Sequence, residues 1–193
     1  MKTIKYIVLI SFAFLLSNCD TNDDGFYNTV YVDIPHLVTI EPHSTTYTVG
    51  EKLYVSAAIS RYQDENGKPL DLFKTTGANE FTFSYVIEKQ IDATNWEVIY
   101  VNDSQLDILK GDAQNGSYVY GICEYNTTNE TYEYNVGFPL LAAGTYRLSM
   151  GYNSDSADSV EIRSESPAKR LIIKINSLQA GIDNAGYYNF TVN

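Results

Sequence analysis

Histidine, cysteine and tryptophan are nearly missing from this chain of 193 residues, which holds two, two and one of them. The histidines, His36 and His43, stand seven apart and in no metal-ligand spacing with a cysteine, so a zinc or transition-metal centre is not expected. There is no Gly-x-Ser-x-Gly elbow and no glycine-rich phosphate loop, which leaves nucleophilic hydrolysis and nucleotide chemistry without recognisable apparatus. Cations are scarce as well, 13 Lys and Arg against 24 Asp and Glu. A surface so acidic repels phosphate backbones, and nucleic acid is not an expected partner. Long apolar runs are also lacking: the longest, Tyr6 to Leu16, is eleven residues. A bilayer-spanning helix needs about 20, so a permanent transmembrane span is disfavoured.

That short run is informative in its own place. Lys2 and Lys5 precede it, Leu16-Ser17-Asn18-Cys19 closes it, and the composition then turns polar. This is the order of a secretory signal segment. Leu16-Ser17-Asn18-Cys19 resembles a bacterial lipobox, with Asn18 standing where that family usually has Gly, Ala or Ser. The resemblance implies cleavage after residue 18 and acylation of Cys19. Several acyl chains at about 0.8 kcal/mol per buried CH₂ would hold the protein stably on a membrane. The acidic stretch after Cys19, Asp20 to Gly25, is too polar to pack and reads as a solvated tether over residues 19–26. It resembles the export tag of surface lipoproteins of the Bacteroidetes type. Asp20 alone resembles an inner-membrane retention signal of enteric bacteria, but Asp23 and Asp24 favour the surface.

Without residues 1–18 the chain has 175 residues, enough for one domain, expected over 27–193. Losing Lys2 and Lys5 leaves 11 cations against 24 acids, a net charge of −13. Cys123 would then be the single thiol, and its parity with Val119 and Gly121 makes it a small buried hydrophobe in a strand.

Seventeen Tyr and eight Phe, mixed with Thr, Val and Ile, favour pleated structure. Apolar residues alternate at Leu53, Val55, Ala57 and Ile59, again at Phe81, Phe83, Tyr85 and Ile87, and in further short runs near Tyr132, Tyr146, Ile173 and Tyr188. Turn clusters separate them, as at Asp64-Glu65-Asn66-Gly67, Asp92 to Asn95 and Asn126 to Asn129. Around Ser104 to Gly111 a short helical turn and an irregular crossover fit equally. Leu141-Ala-Ala-Gly144-Thr-Tyr146-Arg-Leu148 resembles the tyrosine corner of immunoglobulin-like and fibronectin-type sandwiches. The resemblance implies an all-β, immunoglobulin-like antiparallel β-sandwich, with the Tyr146 hydroxyl bonded to the backbone upstream and Leu148 in the core. Trp96 is a further candidate for the core.

Candidate sites are few. Asp64 with Glu65, or Glu130 with Glu133, are imaginable carboxylate pairs, and Asp155, Asp158 and Glu161 a weak calcium set, but turn and strand-face roles explain them more simply. Asp155-Ser156-Ala157 and Asp158-Ser159-Val160 resemble the O-glycosylation acceptor of Bacteroidetes-type exported proteins, which makes Ser156 and Ser159 candidate sites. Tyr62, Tyr120, Tyr125, Tyr132 and Tyr134 include candidates for an outer-face aromatic platform. No catalytic residue, cofactor or metal is expected. The expectation is a lipid-anchored protein of the outer membrane, exposed at the surface, that engages a partner protein or, alternatively, a polysaccharide. The first reading calls for a continuous apolar patch on a sheet face, and the second for a shallow groove with aromatic rings and amides nearby.

Overall fold

A computed structural model describes residues 28–154, 156–165, 171–178 and 181–193. The signal segment, Cys19 and the tether up to residue 26 lie outside them, as does Asp155.

The described residues form an all-β sandwich whose two sheets share one strand. The larger sheet contains β1 (Asn28–Asp33), β15 (Leu171–Leu178), β14 (Ser159–Glu165), β7 (Glu80–Gln90), β11 (Val119–Asn126), β12 (Thr131–Pro139), β4 (Lys52–Ser60) and β2 (Val38–Glu41), in that order. The smaller holds β3 (Thr46–Tyr47), β16 (Tyr187–Val192), β13 (Gly144–Ser149) and β8 (Trp96–Val98). The shared strand is β7: Glu80 to Tyr85 pair with β11, whereas Val86 to Lys89 pair with β13. A strand that changes sheets closes the corner of a sandwich.

Period-two alternation explains the inner layer. Leu53, Val55, Ala57 and Ile59 of β4 are buried, as are Tyr132, Tyr134, Val136 and Phe138 of β12 and Phe81, Phe83, Tyr85 and Ile87 of β7. The two halves of the curled sheet meet there, Phe81 edge-on to Tyr132 at 4.6 Å and Phe83 edge-on to Tyr134 at 5.0 Å. Buried tyrosines need partners for their hydroxyls. They find them in one another, Tyr85 with Tyr134 at 3.0 Å and Tyr47 with Tyr188 at 3.1 Å. Tyr132 and Tyr134 are therefore core residues and not part of an outer platform.

The tyrosine corner is present: Tyr146 is buried and its hydroxyl donates to the Ala142 carbonyl at 2.7 Å, with Leu148 in the core. Cys123 is fully buried, and desolvation pushes its thiol well above the usual range. Two expectations change. Pairing is not wholly antiparallel, because β1 runs parallel to β15 and β3 parallel to β16. Each of these strands reaches its partner from far along the chain, where no hairpin turn imposes a direction. Trp96 lies on the outer face, only half-buried, because Arg147 packs over its ring at 4.3 Å.

The stretch 104–111 begins as the short helical turn, a 3-10 turn over Asp103–Gln105, and in place of an irregular crossover continues as a paired strand, β9 (Asp107–Lys110). β9 pairs with β12, while β10 (Asp112–Asn115) pairs with β11. The hairpin β11–β12 is hydrogen-bonded only near its turn, and β9–β10 fills the wedge where it splays. Gly111 sits at the point of the wedge with φ +68°, where a Cβ would meet the Ile122 carbonyl oxygen at 2.3 Å and that of Glu133 at 2.8 Å. Only glycine fits.

Candidate functional site

The outer face of β2, β4, β12 and β9 carries the most site-like arrangement. In β4 the inward positions are Leu53 and Val55, so Tyr54 and Ser56 point outward. The registers align Glu41, Tyr54, Gly137 and Asp107 in one cross-strand row, and Thr39, Ser56 and Asn135 in the next.

Tyr54 would normally stand away from the sheet. Here Gly137, its direct partner, has no side chain, and the ring lies over it: a Cβ on Gly137 would meet ring atoms at 2.7 and 2.9 Å. The hydroxyl donates to Asp107 Oδ2 at 2.7 Å, and Lys52 Nζ holds the same oxygen at 2.6 Å. Those two donors lower the acidity range of Asp107 and fix it as a carboxylate, while the same contact raises Tyr54 and keeps it a phenol. The ring is thus pinned at its tip and seated on backbone, leaving its other face toward solvent.

Tyr54 and Asn135, with Glu41, Pro42 and Leu109, line an open hollow of about 390 Å³. Beneath it two buried polar atoms, Asn135 Oδ1 and Ser56 Oγ, directly opposite each other in the ladder, have no hydrogen-bond partner among the described residues. Buried polar groups are normally satisfied, so this pair marks a polar layer under the half-buried Tyr54 ring. The sequence reading passed over Tyr54 because its distinction is cross-strand: the glycine that lets it lie down is 83 positions away.

The residues singled out from sequence are spread elsewhere. His36 is exposed at φ +60°, and His43 packs edge-on against Tyr188 at 5.3 Å. Among the described residues no group of three or more His, Cys, Asp or Glu could hold a metal ion. Asp64 accepts the Gly67 amide at 2.7 Å in the turn between β5 (Tyr62–Glu65) and β6 (Lys68–Asp71). Glu130 is bound to Arg61 at 2.8 Å. Glu133 accepts from Lys110, Asn126 and Asn129, which lower its pKa to about 2. These carboxylates hold loops together. Ser156 is exposed in a turn and donates to Asp158, whereas Ser159 opens β14 half-buried. Glu161 is paired with Lys174 at 3.1 Å. Tyr62 is exposed and Tyr120 and Tyr125 half-buried, and Tyr125 stacks on Phe73 at 4.8 Å.

Exposed apolar side chains include Val30 and Tyr31 on β1, Ile91, Val98 and Tyr100 around β8, Ile108 and Leu109 on β9, and Val49 and Leu141 in loops.

Comparison with known proteins adds little. No protein family matches the chain, and neither does any curated protein. Among solved structures, the human F-spondin reeler domain is similar over 91% of this chain and 100% of that one, at 12% identity and a TM-score of 0.36. That likeness is too distant to carry an argument about function.

Proposed function

We propose that this protein is a non-catalytic, lipid-anchored binding protein of the outer cell envelope that holds a polysaccharide on its Tyr54 face. The observation that carries this reading is the pinned Tyr54 ring in an open hollow that Asn135 and Glu41 also line. A sugar ring has an apolar C–H face and a rim of hydroxyls. The face stacks on Tyr54; the hydroxyls donate to the exposed carboxylate of Glu41 at the edge of the hollow. Because ring and ladder are fixed beforehand, little ordering entropy opposes binding. The shallow hollow suits a chain that passes across it and continues on either side.

The test uses the full chain purified in detergent micelles and a panel of neutral polysaccharides, read by affinity electrophoresis. At least one should retard the wild type. Tyr54→Ala should weaken that retardation tenfold or more, about 1.4 kcal/mol, in a protein that still unfolds cooperatively at a melting temperature only a few degrees lower. Wild-type retardation by the Tyr54→Ala protein would overturn the reading. Recovery of one protein in equal amount after crosslinking on intact cells would restore the accessory-subunit alternative.

A further inference from the structure

The opposite side of the sandwich carries a second hollow of different chemistry. The inner faces of β7 and β12 meet in the core, so the outer face of β7, β11, β14 and β15 points away from Tyr54. There Thr82 and Ser84 face outward but are covered: Asn153 donates to Ser84 Oγ at 2.7 Å, and Thr82 Oγ1 donates to Glu165 at 3.0 Å. The result is a trough of about 380 Å³, and Tyr120 also lines a second hollow of about 420 Å³ with Asn115 and Tyr118.

Two cations cross this trough on neighbouring strands, Arg163 directly opposite Lys174. Like charges placed so are mutually destabilising, and the rest of the chain is strongly acidic. Lys174 is engaged by Glu161 at 3.1 Å. Arg163 is not comparably engaged. Its ion contact is a single Nε to Glu165 at 3.9 Å, beyond hydrogen-bond length, and Glu165 is already held by Thr82 and by the Tyr120 hydroxyl at 3.5 Å.

The other two described arginines show the contrast. Arg61 grips Asp71 with two nitrogens at 2.8 Å and Glu130 with the third. Arg147 is bonded to Glu88 at 2.6 Å and lies between the rings of Trp96 and Tyr187. Among the described arginines only Arg163, on a side chain 48% exposed, has its fork left to meet something from outside. A guanidinium fork matches a carboxylate with two parallel hydrogen bonds. The rest of the lining is Thr82, Ser84, Asn153 and the Tyr120 ring, which match a polyhydroxylated ring, with Glu161 and Glu165 already tied to Lys174 and Thr82.

We infer that the trough is a separate binding site for a carboxylated saccharide, with the uronate carboxylate on Arg163 and the sugar ring along Tyr120. It stands independently of the Tyr54 site.

The experiment is calorimetric titration of the full chain in micelles with oligomers of galacturonic and glucuronic acid, and with their methyl esters, at low ionic strength. Binding by at least one acid form is expected, tenfold or more above its neutral ester and reduced as salt approaches about 0.5 M, where screening is strong. Arg163→Gln should lose at least tenfold, and Arg163→Lys, which keeps the charge without the fork, most of that. Tyr54→Ala should bind as wild type, which separates this site from the other. Equal binding of acid and ester, undiminished binding by Arg163→Gln, or no binding of either acid would overturn the inference. Binding of a free peptide carboxylate in place of the uronates would do the same for the saccharide assignment.

Discussion

Single residues decide more here than their types suggest. Tyrosine serves three roles set by its neighbours. Tyr85 and Tyr134 satisfy one another in the core, Tyr146 ties a corner, and Tyr54 lies flat over a glycine. The corner is testable alone. Tyr146→Phe keeps the ring stacked on Phe190 and removes only the bond to the Ala142 carbonyl, on a residue that water can reach. A loss of about 1 kcal/mol is expected, or roughly 2–4 °C in melting temperature for a chain of this size. An unchanged thermal transition would mean that the bond is not part of the folded state. Tyr146 was legible because glycine, tyrosine and leucine at fixed offsets form a local signature. Tyr54 was not, since nothing local distinguishes it from any tyrosine beside a core valine.

Among the elements, the wedge of β9 and β10 shapes the binding face. By pairing with β12, β9 brings Asp107 to the Tyr54 hydroxyl. The wedge depends on Gly111. Gly111→Ala puts a side chain at a left-handed φ and against two backbone oxygens that cannot yield without breaking the ladder. A loss of about 3 kcal/mol or more is expected, together with release of Asp107 from Tyr54. Urea denaturation would measure the first, and hydrogen exchange at β9 and β10 the second. A variant as stable as wild type would show that the wedge is dispensable. Alternating strands such as β4 and β7 were readable from their apolar period. The wedge was not, because a four-residue strand with exposed Ile108 and Leu109 has no such period.

At the scale of the molecule, two unlike hollows lie on opposite outer faces of one apolar layer, and the chain leading into β1 carries the proposed anchor. If Cys19 is acylated, mass spectrometry of the mature protein should find its N-terminal peptide with a diacylglycerol-sized adduct. Cys19→Ser should then shift the protein from the membrane to the soluble fraction. A variant that stays membrane-bound, together with an unmodified wild-type peptide, would remove the anchor. The sequence by itself determined the β class, the alternating inner faces, the corner at Tyr146 and the burial of Cys123, because each depends on neighbours within a few positions. Only the tertiary structure decided that Tyr54 lies on Gly137, that Trp96 faces outward and that Arg163 keeps its fork uncommitted. Those properties arise from contacts across strands, Gly137 under Tyr54, Arg147 over Trp96 and Lys174 opposite Arg163, and side-chain partners of that kind leave no trace in the local pattern of the chain.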